Sequence, residues 1–277
     1  MARNRLFLLR RIRSTTYVVL TMLAAGWLLH HQHQALRDSA FYSGYALFGC
    51  VLFLSAYNFR KKFPALSIGA SSHWLQAHIY VAIFSGAMFG LHVGWRIPDG
   101  YIETSLATCF TLTFASGLYG LAISRSIPRR LAKLREEYIF EQIPALRHDV
   151  RQTADRLVVH LATQSASPIV VDFYASRLVE FFFRPRGMWY YLRPTNTLRR
   201  KLQAELKTIR RYCSEAEQTA CQSLSTLIDR RDDMDYHEAL QGKLKLWLFV
   251  HIGLTYSLII IATYHMILAH AFDGGWR

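Results

Sequence analysis

Three stretches of the chain, 16–57, 73–124 and 245–272, are nearly free of Lys, Arg, Asp and Glu, whereas 125–243 is rich in them. A helix that spans a bilayer needs about 20 mostly apolar residues. Residues 73–95 (HWLQAHIYVAIFSGAMFGLHVGW) reach that length, as do 102–124 (IETSLATCFTLTFASGLYGLAIS), with Glu103 at the margin. Residues 245–272 also fit, and extend a helix that begins earlier in water. Residues 41–57 are marginal in length but uncharged, and 15–30 are short, with Arg11 and Arg13 placed to snorkel and lengthen the span. The pattern predicts an all-α integral membrane protein with about five transmembrane helices. The expected domains are 1–124 (spans one to four), 125–243 (a helical insert) and 244–277 (span five and the C-terminus).

The first segment has the basic start and apolar middle of a signal peptide. No A-x-A-like cleavage site follows it before the next span, so it is read as an uncleaved anchor. Orientation follows from Lys and Arg in the short loops. Arg3, Arg5, Arg10, Arg11 and Arg13, then Arg60, Lys61 and Lys62, then Arg125, Arg129, Arg130, Lys133 and Arg135 all fall on one side if there are five spans. That side is expected to be the cytoplasm of a bacterial inner membrane, with the insert on it and the C-terminus outside. The net charge of +14 is then a basic face beside anionic lipid. No recognition motif accompanies it, so nucleic acid is not an expected partner.

Within the insert, 128–163 and 196–230 place apolar residues at three-to-four spacing among mixed charges, which predicts two helices, Asn196 capping the second. Residues 233–250 are expected to lead unbroken into span five. Between the two helices lies FFFRPRGMWYYLRP, 181–194, suited to packing beneath them, to resting on the membrane interface, or to docking a partner. Packing is favoured, since aromatic side chains are more often buried than displayed. Cys50, Cys109, Cys213 and Cys221 have no metal-site spacing and are read as structural.

The candidate chemistry lies in the histidines. His78 and His92 are 14 residues apart in span three, and His251 and His265 are 14 apart in span five. That interval is nearly four helical turns, about 21 Å of rise, with both side chains near one face. With five spans these two helices run parallel, so His78 and His251 share one depth and His92 and His265 another. Ionisable side chains inside a membrane are costly and usually functional. Two imidazole pairs at two heights suit two bis-histidine haems, each iron taking one ligand from each helix. Zinc or copper would instead gather three or four ligands at one depth. Gly86, Gly90 and Gly94, spaced by four, lack side chains where a flat macrocycle or a close helix would press; such rows more often pack helices. Arg96, just beyond His92, suits a propionate of the outer haem, and Arg60, Lys61 and Lys62 suit the inner one, though each also serves as a topology charge. His30, His31, His33 and His270 gather near the outer face, and His73 and His237 near the inner; they are read as solvated loop residues, with relay of protons from quinol or contact with a partner as the alternatives. Trp74, Tyr80 and Tyr264 suit the haem walls or an aromatic belt.

The paired H-x13-H helices resemble the di-haem cytochrome b of quinol:cytochrome c oxidoreductases. Their placement on spans three and five resembles more closely the membrane domain of ferric reductases and NADPH oxidases. The resemblance covers the spans only, about half of the chain. It implies that His78, His92, His251 and His265 ligate the iron of two b-type haems. The chain departs from these families in having no GxGxxG after a strand, no CxxCH, no PEWY-type quinol motif, and a large insert between the paired helices. The implied role is the electron-transfer subunit of a larger complex, with quinone as mobile carrier and an iron–sulfur, flavin or multihaem cytochrome c partner. The alternatives are a self-standing reductase of ferric ion or oxygen, and a non-redox scaffold whose histidines bridge helices.

Overall fold

The computed structural model describes residues 39–62, 71–134, 136–164 and 168–272, together with helical positions Thr16, Leu20, Thr21 and Ala24. Every regular element among these residues is helical. In chain order they are α1 (Ser39–Lys62), α2 (Ser71–Val93), α3 (Tyr101–Leu131), a short 3-10 turn (Phe140–Gln142) and α4 (Ile143–Gln164). α5 (Ile169–Phe173), a π turn (Tyr174–Leu178) and α6 (Val179–Phe183) follow, then α7 (Met188–Leu192), α8 (Thr197–Ile209), a second 3-10 turn (Arg210–Tyr212) and α9 (Glu215–Phe272).

Three described helices, rather than five, are long and apolar enough to cross a membrane: Ser72–Val93, Tyr101–Leu131 and Glu215–Phe272. Their apolar windows are mostly unburied by the protein, down to 6% buried in α9. A helix that is apolar on its outer surface belongs in lipid rather than in water. The run Phe41–Tyr57 is helical and apolar but shorter, because polar and basic residues from Asn58 to Lys62 end it. The expected first span, 15–30, lies outside the described residues apart from the four positions named. So do His30, His31, His33 and the N-terminal arginines, and the side chains of Arg60, Lys61 and Lys62.

The chain divides into two compact units, one of 1–119 with 250–277 and one of 120–249. In the first, Val51, Cys109, Phe110 and Leu258 form a buried cluster joined by Leu47, Phe89 and Phe114. All four cysteines are free thiols.

The second unit has a larger core. Ile143, Val150, Ala154, Val158 and Leu161 of α4 recur at helical spacing and meet Phe173, Phe181 and Phe182, Leu202 and Leu206, and Leu224 and Ile228. The expected helix over 128–163 is broken: α3 carries Pro128 inside it and stops at Leu131, and α4 restarts at Ile143 with Pro144 in its first turn. Proline is suited to that position because the first amides of a helix lack intrahelical acceptors anyway. The expected helix over 196–230 also divides. Asn196 stands at the N-cap of α8 but makes no side-chain capping bond. Ser214 stands at the N-cap of α9, and its backbone N–H donates to Glu217 Oε2 at 2.8 Å, one half of a capping box.

Charge inside this unit is paired. Asp235 accepts from Arg147 Nη2 at 3.0 Å and from Arg186 Nε at 2.8 Å, and is also paired with Arg231. Arg186 reaches Asp232 at 2.7 Å, and Arg147 reaches Glu238. Arg231 and Asp235 are each 1% exposed at the side chain. Burial pulls the Arg231 guanidinium down to about 9 and pushes the Asp232 carboxyl up from the ordinary carboxylate range. Three guanidiniums therefore depend on one buried carboxylate. Removing one partner of a buried pair costs about 3–5 kcal/mol, against about 0–1 kcal/mol for an exposed pair. Asp235→Asn is expected to lower the thermal midpoint of the purified protein sharply, whereas Glu180→Gln, in the exposed pair with Arg184, leaves it nearly unchanged. Equal midpoints would contradict the assigned role of Asp235.

His237 is held neutral. Its Nε2–H donates to the Glu136 carbonyl at 3.1 Å, and its Nδ1 faces the Gln241 amide nitrogen at 3.3 Å, with the Tyr138 ring edge-on at 5.2 Å. Gln241 Nε2 also donates to the Tyr138 carbonyl at 2.8 Å. A second proton on the ring would point at a donor, and burial lowers the His237 pKa from its ordinary value. The unfolded chain then takes up this proton first as pH falls. The stabilisation is complete above the unfolded value of about 6.5 and declines as pH drops below it. The thermal midpoint is expected to fall over that window in the native chain and less steeply in His237→Gln.

Candidate functional site

His92 and His265 line the same cavity, of about 380 Å³, in the first unit. Ligand pockets occupy roughly 300–1,000 Å³. The walls are apolar and aromatic, with Phe41 and Phe48 from α1, Phe89 from α2, Phe110 from α3 and Leu258 from α9. Small residues, Ala107 on α3 and Ala262 and Ala269 on α9, keep the space open. The pair expected to share the outer depth thus faces one volume, although the two residues lie on helices far apart in sequence.

α1 shapes the His92 ring. Ser43 Oγ lies 2.9 Å from His92 Nδ1. A Cβ placed on Gly44 would come within 3.2 Å of His92 Cε1, so glycine there lets the ring lie close against α1. With the serine oxygen accepting from Nδ1–H, the tautomer carries its lone pair on Nε2, the arrangement that hydrogen-bonded metal-ligating histidines adopt.

His251 repeats the arrangement on α9. Its Nδ1 lies 3.2 Å from Ser116 Oγ on α3, and Gly117 beside it leaves the ring at ordinary van der Waals distance, 3.6 Å from a Cβ placed there. His78 packs its ring 5.2 Å from that of Tyr57 on α1. Neither His78 nor His251 lines the cavity that holds His92 and His265.

The glycine row has three separate roles. A Cβ on Gly86 would lie 2.8 Å from the Phe114 ring, so this glycine admits α3. A Cβ on Gly90 would lie 2.7 Å from the Trp95 indole. Gly94 adopts φ +66° and ends α2 in a Schellman motif: Trp95 N–H donates to the Gly90 carbonyl at 3.1 Å and Gly94 N–H to that of Leu91 at 3.3 Å. Arg96 follows in the turn, exposed, and is not among the cavity-lining residues.

The sequence pattern did not single out Ser43, Gly44, Tyr45 or Ser116, and it marked Glu103 only as a charge at the margin of a span. Glu103 and Tyr45 line the cavity together with His270. His270 Nδ1–H donates to the Met266 carbonyl at 2.7 Å, which leaves Nε2 to accept from the Tyr45 hydroxyl. Small polar residues one helical position from a ring are legible only once the facing helix is known. Among the described residues, no three His, Cys, Asp or Glu side chains gather as a metal centre. The chain matches no family model, curated protein or solved structure.

Two glycines give opposite expectations. A left-handed residue with a Cβ costs about 1–2 kcal/mol, so Gly94→Ala should destabilise. Gly49 lies inside α1 with nothing within 4 Å of a built Cβ, and alanine there should stabilise by about 0.5–1 kcal/mol. Thermal midpoints in one detergent check both signs.

Proposed function

We propose that this chain is a membrane-embedded b-type cytochrome that carries electrons between two haems, each held by one histidine of α2 and one of α9. One observation carries the reading: His92 and His265 meet at a single apolar cavity whose His92 ring is oriented by Ser43. Haem, when bound, supplies one-electron chemistry at an iron whose potential depends on its axial ligands, burial and hydrogen bonds. The protein's part is to present imidazole nitrogens, exclude water and fix each ring. Ser43 fixes His92, and Ser116 stands in the same relation to His251. His78 and His251 are assigned to the inner haem, His92 and His265 to the outer.

In this reading the uncharged segments make five spans, with the N-terminus and the 125–243 insert in the cytoplasm. It acts as a subunit of a larger complex, exchanging electrons with an iron–sulfur, flavin or multihaem cytochrome c protein and with quinone. Glu103 and the Tyr45–His270 pair line the outer cavity and suit a group that gains or loses a proton there.

The test is a visible spectrum of the purified protein, oxidised and dithionite-reduced, with a pyridine haemochrome assay. About two b-type haems per chain are expected, from two ligand pairs. His92→Ala and His265→Ala should each remove the same haem, and His78→Ala and His251→Ala the other. A colourless protein, or haem content unaltered in all four variants, would falsify the proposal and favour the scaffold alternative.

A further inference from the structure

The aromatic stretch 181–194 divides into two parts with opposite fates. Phe181 and Phe182 are buried in the core of the second unit. Met188 and Trp189 of α7 are 80% and 84% exposed, and Leu192 is 58% exposed. Large apolar side chains are rarely displayed together without a reason. The exposed arginines Arg184, which also pairs with Glu180 at 2.6 Å, and Arg193 flank them.

The position of α7 along α9 is fixed. Lys243 Nζ donates to the Leu192 carbonyl at 2.8 Å, which ties the end of α7 to α9 at that level. Five residues earlier on α9, Glu238 Oε2 accepts from the Tyr191 hydroxyl at 3.1 Å. Lys243 and Lys245 are the last charged residues of α9 before the uncharged stretch 246–272. That stretch opens with Leu246 and Phe249, 65% and 78% exposed. At 1.5 Å per residue, Lys243 stands within about 5 Å of the level where α9 turns wholly apolar. α7 therefore lies where a bilayer would begin. Trp, Met and Leu flanked by Arg form the composition of a segment lying in the headgroup layer, the rings entering the acyl boundary and the guanidiniums meeting lipid phosphates.

We infer that α7, with Arg184 and Arg193, rests on an anionic bilayer surface, Met188, Trp189 and Leu192 entering the interface. The occupant is lipid because the patch is small, basic at its edges, and held at the charge-to-apolar transition of a spanning helix. The inference rests on the membrane placement of α9 proposed above and is independent of haem.

The experiment uses the full chain reconstituted in bilayers containing phosphatidylglycerol brominated high on the acyl chain. Trp189 is isolated as the emission difference between native protein and Trp189→Phe, a conservative change at an exposed site. The expected difference spectrum is blue-shifted, quenched by the brominated lipid and shielded from aqueous acrylamide. Its lipid quenching should decrease in bilayers of zwitterionic lipid alone and in Arg184→Gln/Arg193→Gln. A difference emission quenched by acrylamide and indifferent to bromine would overturn the inference. So would one shielded from both, which would place a protein, or a second copy of the chain, on the patch. Alkaline carbonate extraction separates the two claims. A chain washed from the membrane overturns both the placement of α9 and this inference, whereas a retained chain with an acrylamide-quenched Trp189 overturns only the inference.

Discussion

A polar side chain withdrawn from water must find its partner inside the protein, and the two units of this chain meet that demand in different ways. In the charged unit, Asp235 collects Arg147, Arg186 and Arg231, while Asp232 and Glu238 take up the remaining guanidinium valence. The cluster is close to charge-balanced, three arginines against three carboxylates. Such an arrangement adds less net stability than its contacts suggest, because each ion has lost its hydration. Its effect is to make one packing of α4, the segment around Arg186, and α9 far better than any other, since any shift strands a charge.

In the apolar unit there is little charge to balance, and the demand falls on imidazoles and hydroxyls. Ser43 faces His92, Ser116 faces His251, and Tyr45 with the Met266 carbonyl satisfies His270. The hydroxyls of Thr108, Thr111 and Thr113 bond back to carbonyls of their own helix at 2.7–2.8 Å. This lets a polar residue lie on a lipid-facing surface without a partner from elsewhere. Histidine has no such local solution for both ring nitrogens, so its presence in these helices points outward from the helix, to a neighbour or to a ligand.

Period and charge were enough to read the helical class, three of the five expected apolar spans and the large charged region from the sequence. They also drew attention to His92 and His265, which the fold brings to one cavity. What periodicity could not show depends on contacts between distant elements. The break after Leu131 and the start at Pro144 interrupt a pattern whose apolar spacing continues on both sides. The spaces at Gly86 and Gly90 are filled by Phe114 and Trp95, neither identifiable as a neighbour from spacing alone. Asn196 has the right residue type for a cap, but Ser214 with Glu217 forms the capping contact. The stretch 181–194 reads as one aromatic block, and only the packing of Phe181 and Phe182 against the core separates it from the displayed Trp189.

Equal spacing of the histidines links the two proposed haem levels more tightly than either pair does alone. A 14-residue interval on both α2 and α9 gives the same rise, about 21 Å, and the same angular offset. In parallel helices, a contact that pairs His92 with His265 brings His78 and His251 to a common depth without further adjustment. The serine at His251 repeats the serine at His92 from a different helix, α3 rather than α1. Each serine meets the demand of a withdrawn imidazole at one ring nitrogen, at His92 and again at His251. In the proposed two-haem arrangement the serine accepts from the N–H of the ring nitrogen that the iron would not take. The repeated serine therefore suits the proposed two-level arrangement and helix-bridging histidines alike, and it is the open cavity shared by His92 and His265 that a bridging role leaves without a purpose.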